Sequence, residues 1–257
     1  MSEFTPTPER QKQILSLLTR QGRLSVSEIV EQFSISEATA RRDLESLAFQ
    51  GKAQRVHGGV IAVEQAPPEL PILQREGEQA VEKSMIGQAA AELVNDGETV
   101  FLGSGTTVLE TAKNLRERKN LTVITNSLPV LNALAGIKEI TVVSLGGQLR
   151  ESELSFIGHI TEQALAEVRV DKVIMGARGL SFEHGLTNDY LQETLTDRAI
   201  LKIGREVILV ADHSKANRVS TALLAPLSSM NTFVTDSKAD KKFIQALKKQ
   251  NIKVVIA

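Results

Sequence analysis

Cysteine is absent from the 257 residues, which excludes disulfides, Cys-based zinc sites and a thiol nucleophile. The lack of thiols fits a reducing compartment. No apolar run approaches the roughly 20 residues needed to cross a bilayer. The opening stretch MSEFTPTPERQK has no apolar core of the secretory kind. Neither a membrane span nor a signal peptide is expected, and the expected location is cytoplasmic. An excess of positive charge is missing too: the net charge is −1, so the usual electrostatic footprint of nucleic-acid binding does not show in the total. Four scattered histidines give no metal-ligand spacing, and neither a metal nor another cofactor is expected.

Apolar residues make up 42% and charged residues 24%, enough for a real core, and the length suits two domains, one of them small. The first 63 residues read as helix, helix, turn, helix, hairpin. Thr7-Pro8-Glu9 opens a helix in which Ile14, Leu17 and Leu18 share a face, and Gly22 ends it. Ser25 or Ser27 can cap a second helix near Val26 to Phe33. Ser36 precedes a third, running to about Gln50. Lys52 to Val56 and Val60 to Val63 are β-prone and flank Gly58-Gly59, which reads as a hairpin. This is the order of a winged helix-turn-helix.

The third helix carries the functional signal. At 100° per residue, Ala40, Leu44 and Leu47 fall on one face. Ala38, Thr39, Arg42 and Ser46 fall opposite, with Arg41 on the flank and Ser36 at the head. Small polar groups with arginine at a helix start suit the major groove, where arginine takes a guanine edge or a phosphate. Lys52, Arg55 and His57 of the hairpin would hold backbone or minor groove. Arg41-Arg42 alone would equally mark a solvated helix face.

Three of the seven prolines lie in Glu64 to Pro71, a stiff extended segment. The expected division is a DNA-binding domain over 1–63, a linker over 64–74 and an effector-binding and oligomerisation domain over 75–257. That last part is α/β. Apolar strands are expected at Thr99–Leu102, Leu121–Thr125, Ile140–Leu145, Val170–Met175, Glu206–Ala211, Asn231–Thr235 and Lys253–Ile256, with helices between most of them. Such alternation makes a mostly parallel sheet whose ligands sit at the carboxyl ends of the strands.

Small loops follow several strands. Gly103-Ser104-Gly105-Thr106-Thr107 leads into a helix, and its amides and hydroxyls could hold a phosphate. It lacks the GKS or GKT ending of a nucleoside triphosphatase loop and the third glycine of a dinucleotide loop. A tight turn without a ligand would read the same way. Thr125-Asn126-Ser127, Gly146-Gly147-Gln148-Leu149-Arg150, Gly176-Ala177-Arg178-Gly179 and Asp212-His213-Ser214-Lys215 end other strands and are expected on the same rim. His159 and His184 read as loop or surface residues, His213 as undecided. Glu193 to Arg198 reads as a solvated helix face.

Residues 8–63 resemble the DeoR/GlpR family of transcription regulators through Arg10, the run Ser36-x-x-Thr39-x-Arg41-Arg42-Asp43-Leu44-x-x-Leu47, and Arg55-x-His57-Gly58-Gly59. The resemblance implies that the third helix enters the major groove of operator DNA. Asp43 is then structural, orienting a neighbouring arginine or capping. Residues 75–256 resemble the DeoR-type sensor domain, similar in fold to ribose-5-phosphate isomerases. This implies a phosphorylated sugar or related metabolite as effector, Gly103 to Thr107 as phosphate loop, and Lys215 facing the ligand. Thr125, Asn126, Gly147, Arg150 and Arg178 complete the expected effector site. Repression relieved by the effector is the family's usual sense, and a homo-oligomer is expected because operators pair half-sites. One departure stands out: many relatives carry aspartate where this chain has Arg178. An arginine there could bind phosphate or carboxylate, or form an internal ion pair, but it cannot act as a base. An isomerase-like enzyme with an appended DNA-binding domain is the alternative, with Asp212 and then Asp189 as acids.

Overall fold

The computed structural model describes residues 7–49, 53–56, 58–62, 64–65 and 70–257. Two compact units divide the chain, 1–65 and 66–257. Lys52 and His57, expected in the wing, lie outside the described residues.

The first unit holds α1 (Thr7–Gln21), β1 (Arg23–Ser25), α2 (Val26–Phe33), α3 (Glu37–Phe49), β2 (Ala53–Val56) and β3 (Gly59–Ala62). Ser25 caps α2 reciprocally: its hydroxyl accepts from the Glu28 amide, and the Glu28 carboxylate accepts from the Ser25 amide. Ser34 at the end of α2 takes a left-handed conformation, φ 50°, which starts the turn into α3. The hairpin gains a third strand that the sequence does not announce. β1 pairs antiparallel with β3, in the order β1-β3-β2. Ile14, Leu18, Leu24, Ile29, Ala40, Leu44, Leu47 and Val60 are all within 2% of complete burial and make one core. Each large side chain among them contributes roughly 1.5–3 kcal/mol.

The second unit is built on a seven-stranded sheet. Its order is Lys253–Ile256, Thr232–Thr235, Gly204–Val210, Val170–Met175, Thr99–Leu102, Leu121–Thr125, Ile140–Ser144, and every pairing is parallel. Helices cover both faces, so alternate residues of one strand enter different cores. Phe101 packs with Val173, Leu209 and Phe233, while Val100 and Leu102 pack with Ile174, Ile208 and Val234. Strands buried on both faces read as continuous apolar runs, which is why the sequence locates them.

The chain enters this sheet in the middle. From Thr99–Leu102 it builds outward through Leu121–Thr125 to Ile140–Ser144, then returns to the other side of Thr99–Leu102 and builds the other way. The reversal falls between Thr99–Leu102 and Val170–Met175, and a crevice opens at such a point beyond the strand ends. Two antiparallel additions complete the unit. Gly179–Ser181, Gly185–Asn188 and Ala222–Ala225 form a small sheet, and Gln148–Arg150 pairs with Ser155–Ile157 in a hairpin. Residues 70–74, expected in the linker, make contacts within the second unit. Ile72 is 1% exposed and its amide donates to Ser152 O at 2.7 Å.

Candidate functional site

Helix α3, expected to face DNA, divides as its periodicity predicts. Ala40, Leu44 and Leu47 are buried, while Ala38, Arg41 and Arg42 are exposed and Thr39 and Ser46 half-buried. Ser36 Oγ accepts from the Thr39 amide at 3.2 Å and pairs with its hydroxyl at 2.9 Å, which fixes the head of the helix. Arg41 pairs with Glu37 one turn back, at 2.6 Å between two exposed groups. No ion pair holds Arg42 among the described residues.

Asp43 serves the scaffold. It is 3% exposed and accepts from Arg10 Nε at 2.6 Å and from Gln11 Nε2 at 3.2 Å, which ties the start of α1 to the middle of α3. The arginine it orients is Arg10, not Arg41 or Arg42 beside it. Arg55 on β2 is half-buried.

In the second unit a cavity of about 610 Å³ opens at the strand reversal. Three of the expected loops line it: Gly103 to Thr107, Gly176 to Arg178, and Asp212 with Ser214 and Lys215. They follow three adjacent strands of the sheet. Gly105 heads the helix Thr106–Asn114 with φ +117°, and a Cβ there would meet nothing within 4 Å. The glycine supplies a backbone shape that L side chains rarely adopt and leaves open space at the helix start. Arg178 lies at the cavity wall with its Nε 3.1 Å from Asp189 Oδ2, so the ion pair left open by the sequence is present. Asp212 is 2% exposed and its Oδ1 accepts from the Ser214 amide at 2.9 Å.

The other two loops do not line this cavity. They follow Leu121–Thr125 and Ile140–Ser144, on the far side of Thr99–Leu102 from the reversal. Several of their polar groups are tied into the fold, although Asn126 Oδ1 is buried without a hydrogen-bond partner among the described residues. Thr125 Oγ1 donates to Leu102 O, Asn126 Nδ2 donates to Phe156 O, and the Phe156 amide donates back to Asn126 O. The hairpin Gln148–Arg150/Ser155–Ile157 thus covers the end of the Leu121–Thr125 strand. Gly147 packs against Thr161. Arg150 pairs with Glu193 and stacks on the Tyr190 ring at 4.8 Å.

Glu193 to Arg198, expected as a solvated face, is instead largely covered. Glu193 is 6% exposed, Asp197 accepts from Asn188 Nδ2 at 2.7 Å, and Arg198 donates to the carbonyls of Leu223 and Leu224. The hairpin and the small sheet cover this side of the helix, and Glu193 and Asp197 reach the cavity. His159 is exposed, as expected. His213 is not among the residues lining the cavity, and its Nδ1 lies 3.0 Å from Asp236 Oδ1. Burial works to raise the Asp236 pKa, but the His213 and Lys238 amides and the His213 ring outweigh it and hold it below its usual value.

Sequence reasoning missed one wall. Leu70, Arg75, Glu78, Gln79 and Lys83 line the cavity from the chain that enters the unit. Nothing in their spacing distinguishes them from a solvated helix start.

The chain matches the family model of the DeoR-like helix-turn-helix domain over residues 10–66 and that of the DeoR C terminal sensor domain over residues 78–237. It is 36% identical over 256 residues to the Transcriptional repressor AccR of Agrobacterium fabrum, across 95% of this chain and 99% of that protein. It is 33% identical over 246 residues to the Glycerol-3-phosphate regulon repressor of Escherichia coli, across 96% of this chain and 97% of that one. Among solved structures, ribose 5-phosphate isomerase A from Methanocaldococcus jannaschii is similar at a TM-score of 0.38 and 22% identity, over 52% of this chain and 53% of that one. A helix-turn-helix unit followed by an α/β sensor unit defines the class: a DNA-binding transcription regulator. The chain belongs to the DeoR family.

Proposed function

We propose that this regulator is a repressor whose hold on its operator is set by a phosphorylated sugar or related metabolite bound in the 610 Å³ cavity. The supporting observation is the meeting of three loops at the strand reversal, one of them the glycine loop at the start of Thr106–Asn114. Backbone amides at a helix start favour a phosphate. Lys215 and Arg178 add positive charge, while Asp197, Asp212 and Asn188 can accept from or donate to sugar hydroxyls. The names of relatives, among them a glycerol-3-phosphate regulon repressor, agree with this class of ligand.

In this reading residues 1–63 read the operator with the exposed face of α3, 64–74 connect, and 75–257 sense the effector and hold a homo-oligomer in the cytoplasm. The cavity binds its ligand and does not turn it over. The position where the family resemblance implies a carboxylate in many members holds Arg178, paired with Asp189. A gel-shift assay on the protein's own promoter region, with a panel of phosphosugars, tests the proposal. A member of the panel should change operator affinity by an amount equivalent to about 1–3 kcal/mol of coupling. Binding indifferent to every member counts against the sensor. Turnover of ribose 5-phosphate, lost in Asp212→Asn, would replace the regulator's cavity by an active site.

A further inference from the structure

The helix Leu191–Leu201 is turned inside out. A surface helix normally sends its apolar residues inward and its charges to water. Here Glu193 is 6% exposed and, with Asp197 one turn on, lines the cavity. Leu191 and Leu195 are 61% and 48% exposed. At 100° per residue they fall about 160° from Glu193 on either side, which is the opposite ridge of the helix. The charges of the helix take partners within the chain: Glu193 pairs with Arg150, Asp197 accepts from Asn188, and Arg198 donates to the carbonyls of Leu223 and Leu224.

The outward leucines do not stand alone. Tyr190, just before the helix, is 40% exposed, with the Arg150 guanidinium over its ring at 4.8 Å. The strand Ala222–Ala225 packs against the helix, and its side chains alternate: Leu224 enters the core and Leu223 turns outward, 55% exposed. Arg198 lies three residues beyond Leu195 on the same side of the helix, and its bond to Leu223 O sets Leu223 next to the leucine ridge. The four side chains present on the order of 400 Å² of surface, the size at which an apolar patch marks an interaction site. A stable pair of proteins covers about 800 Å² on each partner, a little over half of it apolar. This face supplies that apolar share.

We propose that Tyr190, Leu191, Leu195 and Leu223 form the contact surface for a second copy of this chain, docked across a two-fold axis. This rests on the homo-oligomer of the reading above and names its surface. A two-fold contact sets each patch against its own copy, so a charge near the axis would repel itself. The ridge consists of Leu191, Leu195 and Ala199 with Gln192 beside them, and none of these is charged. The same helix carries Glu193 and Asp197 into the cavity. A ligand that displaces those carboxylates displaces the contact too, and the pairing of copies changes with occupancy.

Sedimentation of the full-length chain at micromolar concentration tests the contact without any ligand. The wild type should travel as two or more chains. The double variant Leu191→Glu, Leu195→Glu should dissociate with a constant about tenfold or more higher, because like charges then meet across the axis. The chain has no cysteine, so Leu195→Cys gives each copy a single thiol. A short bismaleimide should join two such copies, while Leu73→Cys, at an exposed leucine elsewhere in the second unit, should give no product. A single-chain wild type overturns the contact and the oligomer with it. An oligomeric wild type overturns the contact alone if the folded double variant keeps the same constant, or if Leu73→Cys is joined and Leu195→Cys is not. Ribose 5-phosphate and glycerol 3-phosphate test the link to the cavity. Whichever raises the melting temperature of the second unit should shift the dissociation constant several-fold. A raised melting temperature with an unchanged constant overturns the link. If neither raises it, the effector reading fails and the link falls with it, while mass and cross-link still decide the contact.

Discussion

Arg42 and Asp43 are adjacent in sequence and do opposite work. Arg42 stands exposed with no ion pair among the described residues, while Asp43 is buried against Arg10 at 2.6 Å. Arg42→Ala should therefore weaken operator binding by about 1–3 kcal/mol while thermal stability stays within roughly 0.5 kcal/mol of wild type. Equal gel-shift affinity in the variant would remove α3 as the reading face. Asp43→Ala should instead cost about 3–5 kcal/mol, because it leaves the Arg10 charge buried and unpaired. Urea unfolding of the first unit is the measurement. Lys83 behaves in the reverse sense. Burial holds its pKa below 10.5 in the folded protein, so the folded state disfavours the proton that the unfolded state keeps. The penalty is present in full below the folded value and lifts as pH rises through it toward the unfolded one. Lys83→Met should raise the melting temperature of the ligand-free protein near neutral pH and flatten that alkaline rise in stability. A melting temperature that falls, with no change in its pH profile, would mean the lysine is a structural asset.

At the scale of elements, β1 is the piece that the hairpin pattern hides. Three residues, Arg23–Ser25, join the sheet through the backbone of β3, and Gly59 makes the approach possible. A Cβ on Gly59 would sit 2.2 Å from Leu24 O and 2.8 Å from Ser25 Cα. Gly59→Ala should push β1 from β3 and cost about 1–3 kcal/mol by overpacking, read as an earlier unfolding transition of the first unit. Unchanged stability would show that the sheet relaxes freely there. The same contrast explains what the sequence could tell. Thr99–Leu102, Leu121–Thr125 and Lys253–Ile256 are legible to the residue because both faces of central strands are apolar, or because a turn bounds the run. Gln148–Arg150 and Ser155–Ile157 are three residues each, too short for a period to emerge from them. That hairpin decides the site. It draws Asn126 and Arg150 into the fold and covers Glu193, so two of the loops expected at the rim do not line the cavity and a helix face expected in water does. Gly103 to Thr107, Arg178 and Lys215 were legible because glycine and hydroxyl loops at strand ends mark a rim. Lys83 was not, because only tertiary burial separates it from an ordinary surface lysine.

Across the whole molecule, charge does not advertise function. The net charge is −1, so attraction to DNA has to come from a few placed side chains, not from a general field. Binding should still weaken with salt, since each phosphate contact releases counterions, and the slope of log K against log salt should be about −0.9 per contact. The division into 1–65 and 66–257 allows the two binding events to be read apart. A ligand that binds only a folded unit stabilises that unit, by about 2.7 kcal/mol at a hundredfold excess over its dissociation constant. In calorimetry, an effective phosphosugar should therefore raise the transition belonging to 66–257, and an operator duplex should raise the one belonging to 1–65. With both present, the shifts should depart from their sum, because a ligand that changes operator affinity must feel the operator in turn by the same factor. Strictly additive shifts, with each ligand moving its own transition, would leave a DNA-binding unit and a sugar-phosphate-binding unit on one chain without coupling between them.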